Sequence, residues 1–586
     1  MDAERMLGQS RTEVPLKSIS LAKVRNRIVS WMKNTNFDPS KLRGVMVGMI
    51  VNITIAEICC YRFILQDVRA GELPSYTADL MILIFGIFEA VVAPIVSWWG
   101  YTKRRKLLIG YVIAVIVCFL SWFLLPAKLE RKESELCDAA NLENNIGFIG
   151  TSTRTVLRLV MIIYSCIIFV VGRVVFFSHS IAYSDEYAPA RTSMHYGVLL
   201  VSRMFPFVLG YQILTIGAEN GLLVQILIML IASLVSLVQL LNAIPNEPPV
   251  VDGVVMETLP SKDRGLYASI KRVMYNPIAL SQMFSMGLVS ASMWGYGYYE
   301  IDIIKAKFNL LPSFSAYVNF STILLHYLIV GVIVYFGAIS SDPIVKKFCQ
   351  IKTFKQATSM SVLMFVLYIL MTNVLRCNTG NVVGIGRNYY SHPQCSLACH
   401  CKPRWEEFKP VCAVDDMVSY VSPCQAGCRE SQEINGIQVY SNCTCAGGGR
   451  VLERACGDEP CRNASLMHGL MFYMLFMVGI LTLQGQGVLL LKIVDPRDKS
   501  VAQGLAFSFV AILTFVVGHT IFYGLQITTC RWFEGNKCHL QSVSFPYLIG
   551  HFCAFLMLTS IMIALTSWHF FKKLKEDDNE VNETRL

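Results

Sequence analysis

Charged residues are scarce in this sequence of 586 amino acids. Asp, Glu, Lys and Arg make up only 16% of it, whereas hydrophobic residues make up 54%. Soluble globular domains carry about 25% charged residues, so this chain could not cover a water-facing globule of its size. The same composition excludes a disordered chain, a collagen and a coiled coil. It indicates an all-α polytopic membrane protein.

Sequence signals of catalysis are also missing. The chain has no phosphate-binding glycine loop, no nucleophile elbow and no ligand set for a catalytic metal, so we expect no enzyme activity, no cofactor and no metal. Residues 1–43 are polar and basic and lack the apolar stretch of a signal peptide. The net charge of +10 fits the basic cytoplasmic loops of a membrane protein, and we expect no nucleic-acid partner.

Long apolar runs, by contrast, are abundant. A membrane-spanning helix needs about 20 mostly apolar residues, and twelve runs of this kind occur. They lie near 44–65, 77–98, 107–126, 158–180, 195–216, 221–244, 277–299, 314–338, 356–375, 466–490, 502–527 and 545–570. The predicted fold therefore has twelve transmembrane helices in a lipid bilayer.

Lysine and arginine concentrate on one side of this topology. The two tails and the segments on their side hold 29 of these residues, against nine in the short segments of the opposite side. Short cytoplasmic loops carry the excess of positive charge, whereas long loops translocate regardless of charge. Both termini are therefore predicted to be cytoplasmic.

A polar segment rich in proline, 245–276, divides the predicted spans six and six. Two six-helix halves joined by a cytoplasmic linker are the layout of major facilitator transporters, whose substrate site lies between the halves. The predicted units are the tail 1–43, the N-terminal bundle 44–244, the linker 245–276, the first part of the C-terminal bundle 277–375, an external loop 376–465, the rest of that bundle 466–570 and the tail 571–586.

Cysteine is concentrated on the external side. Of 20 cysteines, eleven lie in the loop 376–465 and two more in the last external loop, a density typical of a disulfide-stapled domain. Eleven is odd, so at least one thiol is free or pairs outside the loop, while Cys137 is alone in its own external loop. Zinc binding by the close pairs is the alternative, which an oxidising compartment disfavours. The disulfide candidates are Cys377, Cys395, Cys399, Cys401, Cys412, Cys424, Cys428, Cys443, Cys445, Cys456, Cys461, Cys530 and Cys538.

The order of motifs in this loop resembles a Kazal-like domain over about 393–447. Ser422-Pro-Cys-Gln-Ala-Gly-Cys428 followed by Tyr440-Ser-Asn-Cys-Thr-Cys445 is similar to the domain between spans nine and ten of the organic anion transporting polypeptides. The junction Leu491-Lys-Ile-Val-Asp-Pro-Arg-Asp-Lys-Ser500 resembles the same family. The resemblance implies a plasma-membrane secondary transporter working by alternating access. Its substrates would be large amphipathic organic anions such as steroid conjugates, bile-salt-like molecules, hormones or xenobiotics.

The chain departs from the family pattern at three places. The Trp-rich signature at the start of span six has no match at Asn220–Gln225, Ile512 stands where a basic residue is expected, and a proline is replaced near His519. These departures leave a second hypothesis open. It is a non-transporting surface protein whose Kazal-like loop binds a protein partner or a protease.

Four charged residues lie inside predicted spans of the N-terminal half: Glu57, Glu89, Arg173 and Arg203. A charge at that depth is costly and needs a partner or water. Counting from the span ends places Arg173, Arg203 and Glu89 at nearly one level. Either each arginine pairs with one carboxylate, or one arginine faces a central cavity and binds a substrate carboxylate or sulfate. A role of Glu57 or Glu89 in proton coupling is a third hypothesis.

Span seven ends in an aromatic cluster formed by Trp294, Tyr296, Tyr298 and Tyr299. Aromatic residues at a membrane boundary are typical of an interfacial belt. The intervening glycines would loosen the helix, however, and interrupted helices line transporter sites. The alternative prediction is that these four aromatic residues contact substrate.

Two glycosylation motifs, at Asn442 and Asn463, lie in the external loop. Glycans are added only on the lumenal side, so both asparagines are candidate attachment sites.

Overall fold

The computed structural model describes residues 39–69, 72–99, 104–123, 136–137, 153–187, 192–215, 221–243, 250–251, 254–255, 265–308, 350–375, 382–384, 386, 390–399, 401, 410–434, 437–453, 456, 459–534 and 537–583. Within these ranges the protein is mostly helical, with a small disulfide-rich β-domain. This agrees with the fold class predicted from the sequence.

Eleven of the twelve predicted spans coincide with helices. The α-helices of the described residues are α1 (Pro39–Arg69), α2 (Thr77–Trp99), α3 (Arg104–Trp122), α4 (Thr153–Tyr187), α5 (Thr192–Thr215), α6 (Gly221–Ala243), α7 (Leu266–Met274), α8 (Pro277–Tyr298), α9 (Glu300–Phe308), α10 (Gln350–Asn373), α11 (Glu459–Ile493), α12 (Lys499–Ala511), α13 (His519–Thr528) and α14 (Ser544–Glu583). Helices α7 and α9 are short and lie outside the predicted spans, whereas α12 and α13 belong to one span. The predicted span 314–338 lies outside the described residues. Eight segments of the described part are long and apolar enough to cross a membrane.

The chemistry of each helix face explains how the helices pack. On α2 the exposed face carries Leu80, Val91 and Ile95, whereas the opposite face buries the small residues Ala93 and Ser97. Such an apolar outer face suits lipid, and small residues let helices approach closely. The helix therefore turns its bulky side to the bilayer and its small side to the protein.

Span eleven is the helix that α2 contacts most closely. It consists of α12, a π-helical segment over Ile512–Gly518, and α13. A Cβ at Gly86 of α2 would lie 2.6 Å from the Cβ of Phe515, and one at Gly504 would lie 2.7 Å from the carbonyl oxygen of Ala93. These close approaches join the N-terminal helices to the C-terminal ones.

The predicted linker 245–276 has structure of its own. It contains a short hairpin, β1 (Val250–Val251) with β2 (Val254–Val255), followed by helix α7. Arg272 of α7 donates hydrogen bonds of 2.7 and 2.8 Å to the carboxylate of Asp498 at the start of span eleven. A bidentate ion pair of this kind fixes orientation as well as distance. The segment is thus attached to the C-terminal helices.

The disulfide-rich domain is built on one antiparallel sheet. Its strands are β3 (Val411–Ala413), β4 (Val418–Tyr420), β5 (Glu430–Ile434), β6 (Ile437–Ser441) and β7 (Val451–Leu452), in the order β4-β3-β7-β6-β5. The hydrophobic core beneath it is small and includes Tyr420, Tyr440 and Val451. So small a core needs covalent support.

The structure confirms that the external cysteines form disulfides and supplies their pairing, which the sequence left open. The disulfides are Cys137–Cys399, Cys395–Cys445, Cys401–Cys424, Cys412–Cys456, Cys428–Cys443 and, between strands β8 (Cys530–Glu534) and β9 (Lys537–Gln541), Cys530–Cys538. Cys461 is also disulfide-bonded, whereas Cys377 lies outside the described residues. Of the two alternatives for the odd cysteine, a free thiol or a partner outside the loop, the structure shows the second, because Cys399 pairs with Cys137.

The zinc alternative is wrong for the two close pairs. Cys399 and Cys401 each form a disulfide, as do Cys443 and Cys445. An oxidised sulfur cannot act as a thiolate ligand. The part of the chain that the structure describes also contains no other cluster of metal-binding side chains.

Candidate functional site

A cavity lies where the N-terminal helices α1, α4 and α5 meet the C-terminal helices α8, α11 and α12. It encloses about 960 Å³ of space free of protein atoms, including the part that opens to solvent. Small-molecule sites are lined mostly by apolar side chains with a few polar groups. The lining of this cavity is of that kind, with Glu57, Arg173 and Arg203 among mostly apolar side chains.

Each wall of the cavity is one face of a helix. Arg173 and Phe177 lie one turn apart on α4, and Tyr196 and Arg203 lie two turns apart on α5. Residues spaced by three, four or seven positions share a helix face. Span eleven contributes one such face, formed by Gln503, Ala506, Phe507, Val510 and Thr514.

Arg173 is held between two carboxylates. Its Nη1 donates hydrogen bonds of 2.9 and 2.8 Å to the two oxygens of Glu57, and its Nη2 donates to Glu89. The side chain of Glu89 is only 2% exposed. Removing either partner would leave a buried charge without compensation. Arg173 therefore holds three helices together and keeps little uncompensated positive charge.

Arg203 has a different environment. Its Nη2 lies 3.8 Å from Oε1 of Glu89, beyond hydrogen-bond distance, and it donates no hydrogen bond to another described residue. Its guanidinium carbon lies 4.7 Å from the centroid of the Phe507 ring, a cation–π distance. The ring supports one face of the guanidinium, so its N–H groups stay available to a carboxylate or sulfate.

The expected ion pairs are present, Arg173 with Glu57 and, at 3.8 Å, Arg203 with Glu89, but Arg173 also bonds to Glu89. Arg173 takes both Glu57 and Glu89 because α1, α2 and α4 bring these three side chains to one level. Glu57, Arg173 and Arg203 line the cavity. Glu89 is not part of the lining, and its contact with substrate stays a prediction.

The aromatic cluster of span seven divides between two environments. Trp294 and Tyr298 line the cavity and stack with their ring centroids 5.3 Å apart. The hydroxyl of Tyr296 instead lies 2.9 Å from Nε2 of His468, and the ring of Tyr299 packs edge-on against the ring of Phe545. Both are buried among the C-terminal helices and do not line the cavity, and their contact with substrate stays a prediction.

The glycines of this cluster do not interrupt the helix, which also differs from the prediction. Helix α8 is continuous to Tyr298. A Cβ at Gly295 would lie 2.0 Å from ring atoms of Phe522, and one at Gly297 would lie 3.0 Å from the ring of Phe476. The glycines therefore provide room for neighbouring aromatic rings.

A polar network that sequence reasoning missed joins the two sets of helices. The hydroxyl of Tyr298 donates to Oδ1 of Asp79 at 2.8 Å and lies 3.1 Å from the hydroxyl of Tyr61. Nε2 of His519 lies 3.3 Å from the same oxygen of Asp79. His519 is buried and faces this carboxylate across the interface between the two sets of helices.

Two buried polar groups of the cavity were also missed. The Nε2 of Gln503 and the hydroxyl of Thr514 have no hydrogen-bond partner among the described residues, although both side chains are almost fully buried. Buried polar groups are normally satisfied, so exceptions point to a ligand or to water. The sequence signal for them is their eleven-residue spacing, which places both on one helix face that is otherwise apolar.

The proposed glycosylation sites are exposed. Asn442 follows strand β6 at the surface of the disulfide-rich domain, and Asn463 lies near the start of α11. Attachment of glycans to either one stays a prediction.

Comparison with known proteins gives a consistent family match. The model of the Organic Anion Transporter Polypeptide (OATP) family matches residues 251–574, more than half of the chain. Solute carrier organic anion transporter family member 2B1 of Rattus norvegicus is 26% identical over 272 residues, 44% of this chain and 38% of that protein. Member 4C1 of Mus musculus is 25% identical over 301 residues, 48% of this chain and 40% of that protein. These matches span about two fifths of each relative.

Two solved structures are similar over most of the chain. The human organic anion transporter MFSD10 (TETRAN) aligns with a TM-score of 0.47 and 10% identity, covering 90% of this chain and all of that one. The major facilitator superfamily transporter FucP, in its outward conformation, aligns with a TM-score of 0.43 and 9% identity, covering 90% and 98%.

Proposed function

The chain belongs to the organic anion transporter polypeptide family and is a multi-pass membrane protein, and from this premise we propose that it is a secondary transporter of large amphipathic organic anions. We further propose that it acts in the plasma membrane with both termini in the cytoplasm. The basic residues of the tails and short loops support that orientation.

The observation that carries this proposal is the environment of Arg203. The guanidinium lies over Phe507 at the wall of a mostly apolar cavity, and its hydrogen-bonding capacity is unused among the described residues. An organic anion would place its carboxylate or sulfate at Arg203 and its rings against the aromatic walls. Trp294, which lines the same cavity, offers one such wall.

Alternating access would proceed by breaking and forming polar contacts between the two sets of helices. One such contact lies at the end of α8, where the hydroxyl of Tyr298 bonds to Asp79 of α2 and to Tyr61 of α1. Toward the opposite ends, Nζ of Lys499 lies 2.5 Å from Asp185, and Nε2 of Gln484 donates to the carbonyl of Ser193. Hydrogen bonds contribute about 1 kcal/mol each, so they can stabilise a state without locking it.

The test is uptake of a panel of radiolabelled amphipathic anions by cells whose surface expression of the chain has been verified. We expect uptake above that of cells carrying an empty vector, and reduced uptake for Trp294→Ala. Trp568→Ala is the matched control, because Trp568 packs against Leu489 and Ala564, away from the cavity. Surface-expressed protein that takes up no anion of the panel would refute the proposal.

A further inference from the structure

Helix α7 presents a narrow stripe of exposed side chains. Tyr267 and Lys271 of the helix and Tyr275, which directly follows it, are spaced by four residues and so lie on one face. The two tyrosines are 78% and 77% exposed, and Lys271 is exposed as well. The opposite face buries Ser269 and Val273 against the protein. The helix is therefore amphipathic, with one side attached to the protein and the other open.

This stripe lies at a predicted membrane boundary. Asn276 separates α7 from α8, because its backbone is extended and its side chain accepts hydrogen bonds from the N–H groups of Ile278 and Ala279. An N-cap residue of this kind starts a new helix, so α7 does not continue the axis of the span. The predicted span begins at 277, two residues after Tyr275. Tyrosine is enriched at this level of a membrane, because its ring is apolar and its hydroxyl is polar.

Helix α2 carries an aromatic side chain at the corresponding end of its span. It contacts α7, and its apolar outer face ends in the exposed Trp99, one turn after Ile95. Tryptophan is the other aromatic residue typical of a membrane interface. Two helices in contact thus both place exposed aromatic rings where their spans meet the headgroup region.

The charge of α7 indicates what could cover its open face. The helix carries two basic residues and no acidic one. Arg272 is compensated by the carboxylate of Asp498. Lys271 forms no salt bridge with another described residue, and its Nζ lies 5.5 Å from the centroid of the Tyr275 ring. An exposed ammonium beside an aromatic ring suits the phosphate of an anionic headgroup.

We propose that Tyr267, Lys271 and Tyr275 bind the headgroup of an anionic phospholipid in the cytoplasmic leaflet. The ammonium of Lys271 meets the phosphate, and the two tyrosine rings lie among the headgroups on either side of it. Arg272 joins the same helix to Asp498 at the start of span eleven, so a bound lipid stabilises α7 in this contact. The inference goes beyond the transport proposal and shares with it only the orientation of the chain.

The experiment measures backbone hydrogen exchange of Leu266–Met274 in the full chain, reconstituted into lipid nanodiscs. One set of nanodiscs contains phosphatidylcholine alone, and the other contains phosphatidylserine in addition. We expect phosphatidylserine to slow exchange about threefold to fivefold, the contribution of one basic residue at an anionic surface. High salt should remove the difference, because an exposed ionic contact is screened. Nanodiscs offer the lipid on both faces, so the result does not depend on the orientation.

Three variants test the residues of the stripe. Lys271→Gln should lose the dependence on phosphatidylserine, and Tyr267→Gln should speed exchange in both lipids. Lys106→Gln is the matched control, because Lys106 is exposed near the start of α3 on the same predicted side but has no tyrosine one turn away. This control should keep the full dependence. All three side chains are exposed, so the substitutions remove no buried packing.

Each remaining outcome overturns the inference. Equal exchange in the two lipids would show that no anionic lipid binds α7. Equal losses in Lys271→Gln and Lys106→Gln would assign the effect to the basic surface as a whole. Unchanged exchange in Tyr267→Gln would show that the ring does not enter the interface. The measurement involves no transported solute, so its failure and a failure of uptake are independent results.

Discussion

Cys137 and Cys399 form a disulfide that joins the connection between α3 and α4 to the disulfide-rich domain, across 262 residues of sequence. The backbone N–H of Cys137 also donates to the carbonyl of Cys428 at 2.7 Å. The domain inserted among the C-terminal helices is thus covalently attached to the N-terminal ones.

Removing this attachment should destabilise the docking of the domain. We predict that the double change Cys137→Ser and Cys399→Ser lowers the thermal unfolding midpoint. A disulfide that closes a long loop of the unfolded chain contributes a few kcal/mol to the free energy of unfolding. Differential scanning fluorimetry on detergent-purified protein measures the shift. Cys166→Ser, which removes a free thiol, is the control. An equal midpoint for the double variant and this control would contradict the prediction.

The disulfides inside the domain should matter more than its attachment. Cys412 bonds to Cys456 and Cys428 to Cys443, beneath a sheet with a small core. Losing one native disulfide from such a domain typically costs about 2–5 kcal/mol. We predict that Cys412→Ser and Cys428→Ser are each retained inside the cell, as surface biotinylation would report. Normal surface delivery of both variants would rule out this dependence.

Helix positions and the use of cysteine were predictable because each depends on local composition. An apolar run as long as 77–98 is expected to span the membrane as a helix, and α2 coincides with it. Clustered external cysteines likewise imply disulfides. Their pairing did not follow, because the partner of Cys399 is Cys137, far away in the sequence.

The details of the site could not be predicted because they depend on packing between helices. Nothing in the sequence indicates that Arg173 takes both carboxylates, since this requires the orientation of three helices. The alternating aromatics of span seven point to different faces, so Tyr298 reaches the cavity and Tyr296 does not. The π-helical segment over Ile512–Gly518 has no recognised sequence signature.

The hydroxyl of Tyr298 should stabilise the contact between α8 and the N-terminal helices. We predict that Tyr298→Phe speeds hydrogen exchange at the ends of α1 and α8 severalfold, because it removes bonds to Asp79 and Tyr61 worth about 1 kcal/mol each. Tyr299→Phe is the control, since the hydroxyl of Tyr299 has no partner among the described residues. Identical exchange in both variants would show that the contact contributes nothing.

Arg173 should be structural. We predict that Arg173→Ala strongly reduces surface expression, because leaving buried carboxylates unpaired costs about 3–5 kcal/mol. Since Arg173 bonds to two carboxylates, adding Glu89→Gln should restore expression only in part, and adding Glu57→Gln as well should restore more. Flow cytometry of surface-labelled cells measures this series. Full expression of Arg173→Ala alone would show that the carboxylates do not need it.

Arg203 should be the residue that recognises the anion. Its Nη2 is 3.8 Å from Glu89, which still accepts its hydrogen bond from Arg173, so Arg203→Gln removes no hydrogen bond between described side chains. We therefore predict near-normal surface expression for Arg203→Gln. Uptake of an amphipathic anion should fall roughly tenfold to a hundredfold, the loss of about 1.5–3 kcal/mol for a charge-assisted hydrogen bond.

The comparison with a neutral analogue decides whether charge recognition is the cause. Uptake of an uncharged molecule with the same rings should change little in Arg203→Gln, because the wall formed by Phe507 remains. Arg203→Lys should recover only part of the anion uptake, since an ammonium lacks the paired donors of a guanidinium. Equal losses for the anion and the neutral analogue would instead mean that Arg203 shapes the cavity without recognising charge.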